Sequence, residues 1–290
     1  MDFRALFMGL AFAVMWSSAF TSARIIVAAA PPVTALGLRF LISGILGVLV
    51  ARALGQSWCL TPAQWRATVI FGLCQNALYL GLYFVAMQTV EASLAAIIAS
   101  SMPLLVGLAS WLILGQRIGA LGFAGLAAGM TGVALIMGTR LQGGADIHGV
   151  LLCIGGVVAL TFATLAVRGA TSGGNYLMIV GLQMLVGSAA LGAVGLATET
   201  LEIAWSWSFV AAFAYTTLIP GLAATLVWFA LVNRIGAVKA ATFHFLTPFF
   251  GVTIAALVLN ETLGLWDIIG VLIVTAGILA VQLSRQTTPR

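Results

Sequence analysis

The chain has 290 residues, 62% of them hydrophobic and only 7% charged. Twelve basic and seven acidic residues are too few to solvate a globular surface of this size, where about a quarter of residues would be charged; an ordinary soluble enzyme, a disordered chain and a nucleic-acid-binding domain are excluded. The net charge of +5 does not mark a polyanion site, because the basic residues are scattered singly, and few charges with the basic ones on one side suit a multi-span membrane protein.

A membrane helix takes about 20 apolar residues, and charge-poor runs broken at turn residues predict ten of them. The first covers 5–28. Its run is too long for the apolar core of a signal peptide, and Trp16 and Arg24 fit no small-residue cleavage pattern. Pro31 and Pro32 close it and open the second, 32–54. The third, fourth and fifth follow at 64–88, 91–114 and 119–138. Gly143, Gly144 and Asp146 then mark what reads as the longest polar connection, at the midpoint of the chain. The sixth span is placed at 149–170 and the seventh at 176–197, with Thr171 to Asn175 between them as turn chemistry. Thr198 to Trp207 carries Glu199, Glu202 and two tryptophans and reads as an interfacial loop, since indole rings favour the headgroup level. Spans at 208–233, 237–259 and 264–284 complete the set. Cys59, Cys74 and Cys153 are an odd number without paired spacing, the pattern of passive packing residues.

Ten spans put both termini on one side. With those ends cytoplasmic, the inner loops and ends hold Arg4, Arg52, Arg66, Arg117, Arg168, Arg234, Lys239, Arg285 and Arg290, and the outer loops hold Arg140 with six acidic residues. This bias predicts an N-in, C-in protein of the cell inner membrane.

Shifted against itself by 145 residues, the sequence matches without gaps from Phe84 onward, including Pro103/Pro248, Gly119/Gly264, Gly125/Gly270 and Gly132/Gly277. Five helices per half is an odd number, so the second copy enters the membrane from the opposite side. The expected fold is all-α: ten transmembrane helices as two inverted five-helix repeats, 1–142 and 146–290, around a central cavity.

The repeated pattern is a proline-centred helix, a Gly-Glu-x-Leu-like end and a glycine-rich helix, seen here as SMPLLVGLASWLILGQRI and LTPFFGVTIAALVLNETL. With WSSAF in the first span and LRF in the second, the chain resembles the EamA-type branch of the drug/metabolite transporter superfamily. Within that branch it looks most like the aromatic amino-acid exporters of the YddG type. The resemblance implies ten helices, a central cavity between the halves and alternating access. One departure is Gln116, which stands where the first copy usually has Glu, while Glu261 keeps it in the second.

No Ser-His-Asp set, metal-ligand cluster or phosphate loop occurs, so neither an enzyme nor a cofactor or metal is expected. No span interior carries Asp or Glu, which disfavours dications and carboxylate-based antiport. Without clustered Arg or Lys, phosphorylated substrates are disfavoured too. Small neutral or zwitterionic molecules remain, amino acids among them. The candidate cavity residues are Trp16 and Ser17; Asn76, Tyr79 and Tyr83, one helical face by steps of three and four; Ser100; Thr161 and Thr164; Trp228, the repeat mate of Tyr83; and His244, a proton-sensing candidate. Pro103 and Pro248 are expected kinks and hinges. Arg39 is expected to pair or to snorkel, in a structural role. The expected protein is a monomeric exporter of amino acids, aromatic ones included, or similar metabolites, whose partners are substrate and lipid bilayer. A multidrug or nucleotide-sugar carrier of the same fold, and a non-transporting membrane scaffold, stay open as alternatives.

Overall fold

The computed structural model describes residues 2–113, 115–116, 119–166 and 173–287. Arg117, Arg168, Arg290 and the start of the 171–175 turn lie outside the described residues, as does the Arg285 side chain.

Among the described residues all regular structure is helical, and ten helices are long and apolar enough to cross a membrane. They are α1 Phe3–Val27, α2 Pro32–Ala53, α3 Pro62–Ala86, α4 Ala92–Leu112, α5 Ala120–Gln142, α6 Ile147–Ala166, α7 Tyr176–Thr198, α8 Trp207–Ile235, α9 Lys239–Leu259 and α10 Leu265–Ser284. The expected fifth span is too short. Helix α5 runs on through Gly138 to Gln142, and the chain turns only at Gly144, whose φ of 91° suits glycine alone. The midpoint connection therefore shrinks to 143–146, shorter than the connections 54–61 and 199–206.

Helix starts leave N–H groups without intrahelical partners, and several are met by residues distant in sequence. The Glu199 carboxylate accepts from Val33 and Thr34 N–H at the start of α2, at 2.9 and 2.8 Å. The Glu261 carboxylate does the same for Ala92 and Ser93 at α4, at 2.7 and 3.0 Å. Gln56 Oε1 accepts from Leu177 and Met178 at α7. Local caps serve the others: Thr61 with Gln64 in a capping box at α3, Ser206 at α8, and Asp146 at α6. The Thr89 hydroxyl, donating at 2.7 Å, holds the Asp146 carboxyl below the usual range.

Four helices are interrupted, and the interruptions repeat. Helix α3 is π-helical over Gly72–Tyr79, and α8 over Ile219–Ala223. Moved back by 145 residues, the second segment falls on 74–78, inside the first. Helix α4 breaks in a turn at Ser101, just before Pro103, and α9 passes through 3-10 geometry over Thr242–Leu246, just before Pro248. These interruptions also share the offset, since 242–246 moves back onto 97–101. Proline cannot donate to the carbonyl four residues back, and each proline begins a new α-helical stretch.

The chain forms two compact units, and each draws on both sequence halves. The first comprises Met1–Thr21, Thr89–Val150 and Ala223–Arg290; the second comprises Ser22–Gln88 and Leu151–Leu222. In the first, α5 lies against α10 around Leu104, Leu126, Val133, Val274, Ile278 and Val281. Glycine makes that approach possible. A Cβ on Gly277 would stand 2.6 Å from Gly129 N and 2.7 Å from Gly125 O, and one on Gly270 would stand 3.2 Å from Gly132 O. The Gly125–Gly277 and Gly132–Gly270 contacts map onto one another when the copies are exchanged, so the mates α5 and α10 meet about a local pseudo-two-fold. In the second unit α2 packs on α7, its mate, with Gly44 and Gly47 against Gly181. Such small-residue contacts are a common means by which membrane helices approach.

Candidate functional site

In the first unit, α1, α8 and α9 bring four rings together. Phe12 stands 5.8 Å from Trp16, 4.8 Å from Trp228 and 5.1 Å from His244, centroid to centroid. The His244 ring lies nearly perpendicular to those of Phe12 and Trp16, at 83° and 88°, the edge-to-face arrangement that aromatic quadrupoles favour. Trp228 closes on His244 at 5.2 Å. Phe12 is buried, whereas Trp16, Trp228 and His244 are half-buried.

Local sequence explains the placement. Phe12 and Trp16 are four apart on α1 and share a face. Gly9, one turn earlier, makes room for Phe243, whose ring would stand 2.3 Å from a Cβ there. The 3-10 segment of α9 then turns His244 towards Trp16 and Trp228. Ser17 Oγ donates to Thr247 O at 3.3 Å and ties α1 to the restart of α9. Among the described residues, Thr247 Oγ1 is buried without a hydrogen-bond partner. Trp16, Ser17, Trp228 and His244, predicted separately from the sequence, are thus neighbours. Phe12, at the centre of the ring cluster, was missed; its four-residue spacing to Trp16 was the available signal.

The second unit holds another group. The Tyr79 and Tyr83 rings meet at 4.7 Å, tilted by 58°, and Asn76 Nδ2 donates to Gln183 O at 2.9 Å. Gly187 and Gly156 accommodate them, since a Cβ would come within 2.5 Å of Asn76 Cβ and 2.9 Å of the Tyr83 ring respectively. All three residues are buried, Tyr83 fully. The one-face argument for them needs correcting: Asn76 and Tyr79 lie on π-helical backbone, which does not follow the 3.6-residue period. The repeat mates Tyr83 and Trp228 also differ in setting, one sealed under Gly156 and the other half-exposed among rings.

The hydroxyl candidates donate within their own helices. Ser100 bonds Ala96 O at 2.6 Å, Thr161 bonds Val157 O and Thr164 bonds Leu160 O, both at 2.8 Å. Each satisfies the carbonyl four residues back, the usual habit of a helical Ser or Thr. Ser100 belongs to the first unit, Thr161 and Thr164 to the second. Pro103 and Pro248 both sit buried at the restart of interrupted helices. Arg39 does not snorkel: it is 6% exposed and donates from Nε to Thr216 O.

Comparison with known proteins fits this architecture. The sequence pattern of the EamA-like transporter family matches residues 3–138 and again 147–283. The chain is 30% identical to the uncharacterized transporter YvbV of Bacillus subtilis over 93% of this chain and 88% of that one. It is 26% identical to the uncharacterized inner membrane transporter YedA of Escherichia coli K12, covering 90% and 85%. A crystal structure that is 20% identical superposes over the full length of both chains with a TM-score of 0.71, a likeness of fold. With ten helices apolar enough to span a bilayer, interruptions that recur in two copies and two matches to one pattern, this multi-pass membrane protein belongs to the EamA-like transporter family.

Proposed function

We propose that the protein is a secondary transporter of the inner membrane that exports amino acids, aromatic ones among them, or similar small zwitterionic metabolites. The observation that carries the reading is the half-buried cluster of Phe12, Trp16, Trp228 and His244 beside the Ser17–Thr247 contact. It offers aromatic faces, a hydroxyl and an imidazole, with no carboxylate, and so favours flat apolar groups over dications. Interrupted α8 and α9 supply two of its four rings. In membrane proteins, non-helical backbone is tolerated where protein or a wet cavity satisfies it, and transporters place their sites there. Each compact unit draws on both sequence halves, with the unit boundaries inside α1 at Thr21–Ser22 and inside α8 at Leu222–Ala223.

Among side chains deep in the spans, His244 alone titrates near neutral pH in its unperturbed form. Transport is therefore either facilitative or coupled through His244. Liposomes holding only this protein, loaded with labelled phenylalanine, separate the cases. Facilitated transport equilibrates substrate in wild type and His244→Ala alike, with no accumulation under a pH gradient. Coupling through His244 gives accumulation in wild type that the substitution abolishes. Accumulation that survives His244→Ala sinks both forms and points to a carboxylate at a helix end. No flux of phenylalanine, nor of other labelled amino acids tried in the same liposomes, sinks the substrate assignment and favours a multidrug or nucleotide-sugar carrier, or a scaffold.

A further inference from the structure

The second unit carries an open depression of about 460 Å³, at the end that the distribution of basic residues predicts to face outwards. All of its walls belong to that unit: the end of α1 with the turn after it, 27–31, then Gln88 beyond α3, and Glu202, Ile203 and Ala204 of the connection 199–206. The turn is short of donors for a local reason. Pro31 and Pro32 have no N–H, so the carbonyls four residues before them, Val27 O and Ala28 O, lose the donors that a continuing helix would supply. The neighbouring N–H groups go elsewhere: Ala28 donates to Arg24 O, and Ala29 and Ala30 share Ile26 O. Among the described residues nothing donates to Val27 O or Ala28 O. Ala204 N–H donates to Ala29 O at 2.8 Å and fixes the 199–206 connection against this turn.

The charges around the depression are divided. Arg24 donates to Met87 O, and Glu199 accepts from the first N–H groups of α2, so backbone holds both. Glu202 is exposed and, among the described residues, its carboxylate has no hydrogen-bond or ion-pair partner. It is the one ionisable side chain lining the depression. Helix C-termini concentrate unmet carbonyls and partial negative charge, and here a carboxylate adds to them. Half-buried Ile203 and the alanines supply an apolar wall. A group with positive charge, several N–H donors and a short hydrocarbon body matches these walls, and a primary ammonium brings three donors. Trp205 and Trp207 stand exposed on the same connection, and indole rings favour the level of lipid headgroups.

We propose that this depression binds primary ammonium groups, between the Glu202 carboxylate and the carbonyls that Pro31 and Pro32 leave unmet. The site stands apart from the aromatic cluster of the first unit and does not depend on the transport reading. The ammonium belongs to a free alkylamine or to the ethanolamine headgroup of a phospholipid, and one experiment separates these sources. Full-length protein labelled at isoleucine δ1 methyl groups, in neutral detergent, is observed by nuclear magnetic resonance; the Ile203 signal is the one lost in Ile203→Val. n-Butylamine should shift that signal saturably and bind at least about fivefold more tightly than 1-butanol, since a charge-assisted contact is lost with the alcohol. Glu202→Gln, at an exposed position, should weaken the amine about threefold, the scale of an exposed ion pair. Trimethylbutylammonium, with charge but no N–H, should bind more weakly than butylamine. Micelles doped with phosphatidylethanolamine or phosphatidylcholine identify the source. A shift with the ethanolamine lipid alone, which also displaces butylamine, makes the headgroup the occupant; no shift with either lipid makes it a free amine. Butylamine binding no tighter than butanol overturns the proposal in the wild-type protein, without any variant. Unchanged amine binding by folded Glu202→Gln overturns it too, as does trimethylbutylammonium binding as tightly as butylamine, or both lipids displacing butylamine equally.

Discussion

Tyr83 and Trp228 occupy equivalent positions in the two copies, yet their surroundings assign them different work. Tyr83 is wholly buried against Gly156 and Tyr79. Truncating such a side chain leaves a cavity, so Tyr83→Ala should destabilise the protein by about 3 kcal/mol or more. The detergent melting temperature should fall and activity should fall with it. Trp228 is half-buried among Phe12 and His244. Trp228→Ala should leave the melting temperature near wild type and raise the KM for aromatic substrates about fivefold, ring contacts being worth on the order of 1 kcal/mol beyond burial. Equal loss of folded protein and activity in both variants would reduce Trp228 to packing. The residue types were legible in the sequence, because aromatic and hydroxyl side chains stand out in a chain so poor in charge. Their grouping was only partly legible. Trp16 and Ser17 are adjacent in the chain, but their meeting with His244 depends on the 3-10 turn, which no periodicity announces.

Helices were the most legible elements, since apolar run length alone sets them. Their interruptions were half legible: Pro103 and Pro248 marked two breaks, whereas the π segment of α3 contains no proline and leaves no local signature. Glycine spacing was legible as packing, though not as to partner. That distinction gives a test within one helix pair. Gly277 faces backbone: a methyl group there would stand 2.6 Å from Gly129 N and 2.7 Å from Gly125 O. Neither atom can move without separating α5 from α10, so Gly277→Ala should cost about 1–3 kcal/mol, the usual range for overpacking. Gly138, also on α5, has open space around its Cβ position. Gly138→Ala should be neutral or stabilising by up to about 1 kcal/mol, the helix-propensity difference. Melting temperatures of the two variants compare them directly. A destabilised Gly138→Ala alongside an unaffected Gly277→Ala would contradict the packing described for α5 and α10.

At the scale of the whole molecule, the count of ten spans and the two-copy build were legible, and the partition into compact units was not. A sequence repeat shows which segments are related; it does not show which of them pack together. Sidedness is testable with a native probe. Cys59 is exposed in the connection between α2 and α3, for which the distribution of basic residues predicts the inner side. In intact cells a membrane-impermeant maleimide should leave Cys59 unlabelled until the membrane is opened, whereas Gly144→Cys should react from outside at once. The reverse pattern would invert the topology.

The ends of the first unit are chemically unequal. At one end Arg140 bonds both Glu91 and Asp267, the latter at 2.9 Å, while Glu261 caps α4. The equivalent positions in the other copies of Glu91, Asp267 and Glu261 are Gly236, Gly122 and Gln116, which carry no charge. Arg140→Gln should therefore speed amide hydrogen exchange over 91–95 and 260–267 and leave 237–246 unchanged; uniform acceleration would mean a general loss of stability. Two identical copies related by inversion would have no front and no back, and the two arrangements reached by exchanging their roles would be degenerate. The Arg140 cluster at one end and the single Arg234–Asp2 pair at the other are unequal, and that inequality lifts the degeneracy. Even about 1 kcal/mol biases a two-state population roughly fivefold, so unequal ion pairs at the two ends are enough to give a near-symmetric scaffold a front and a back.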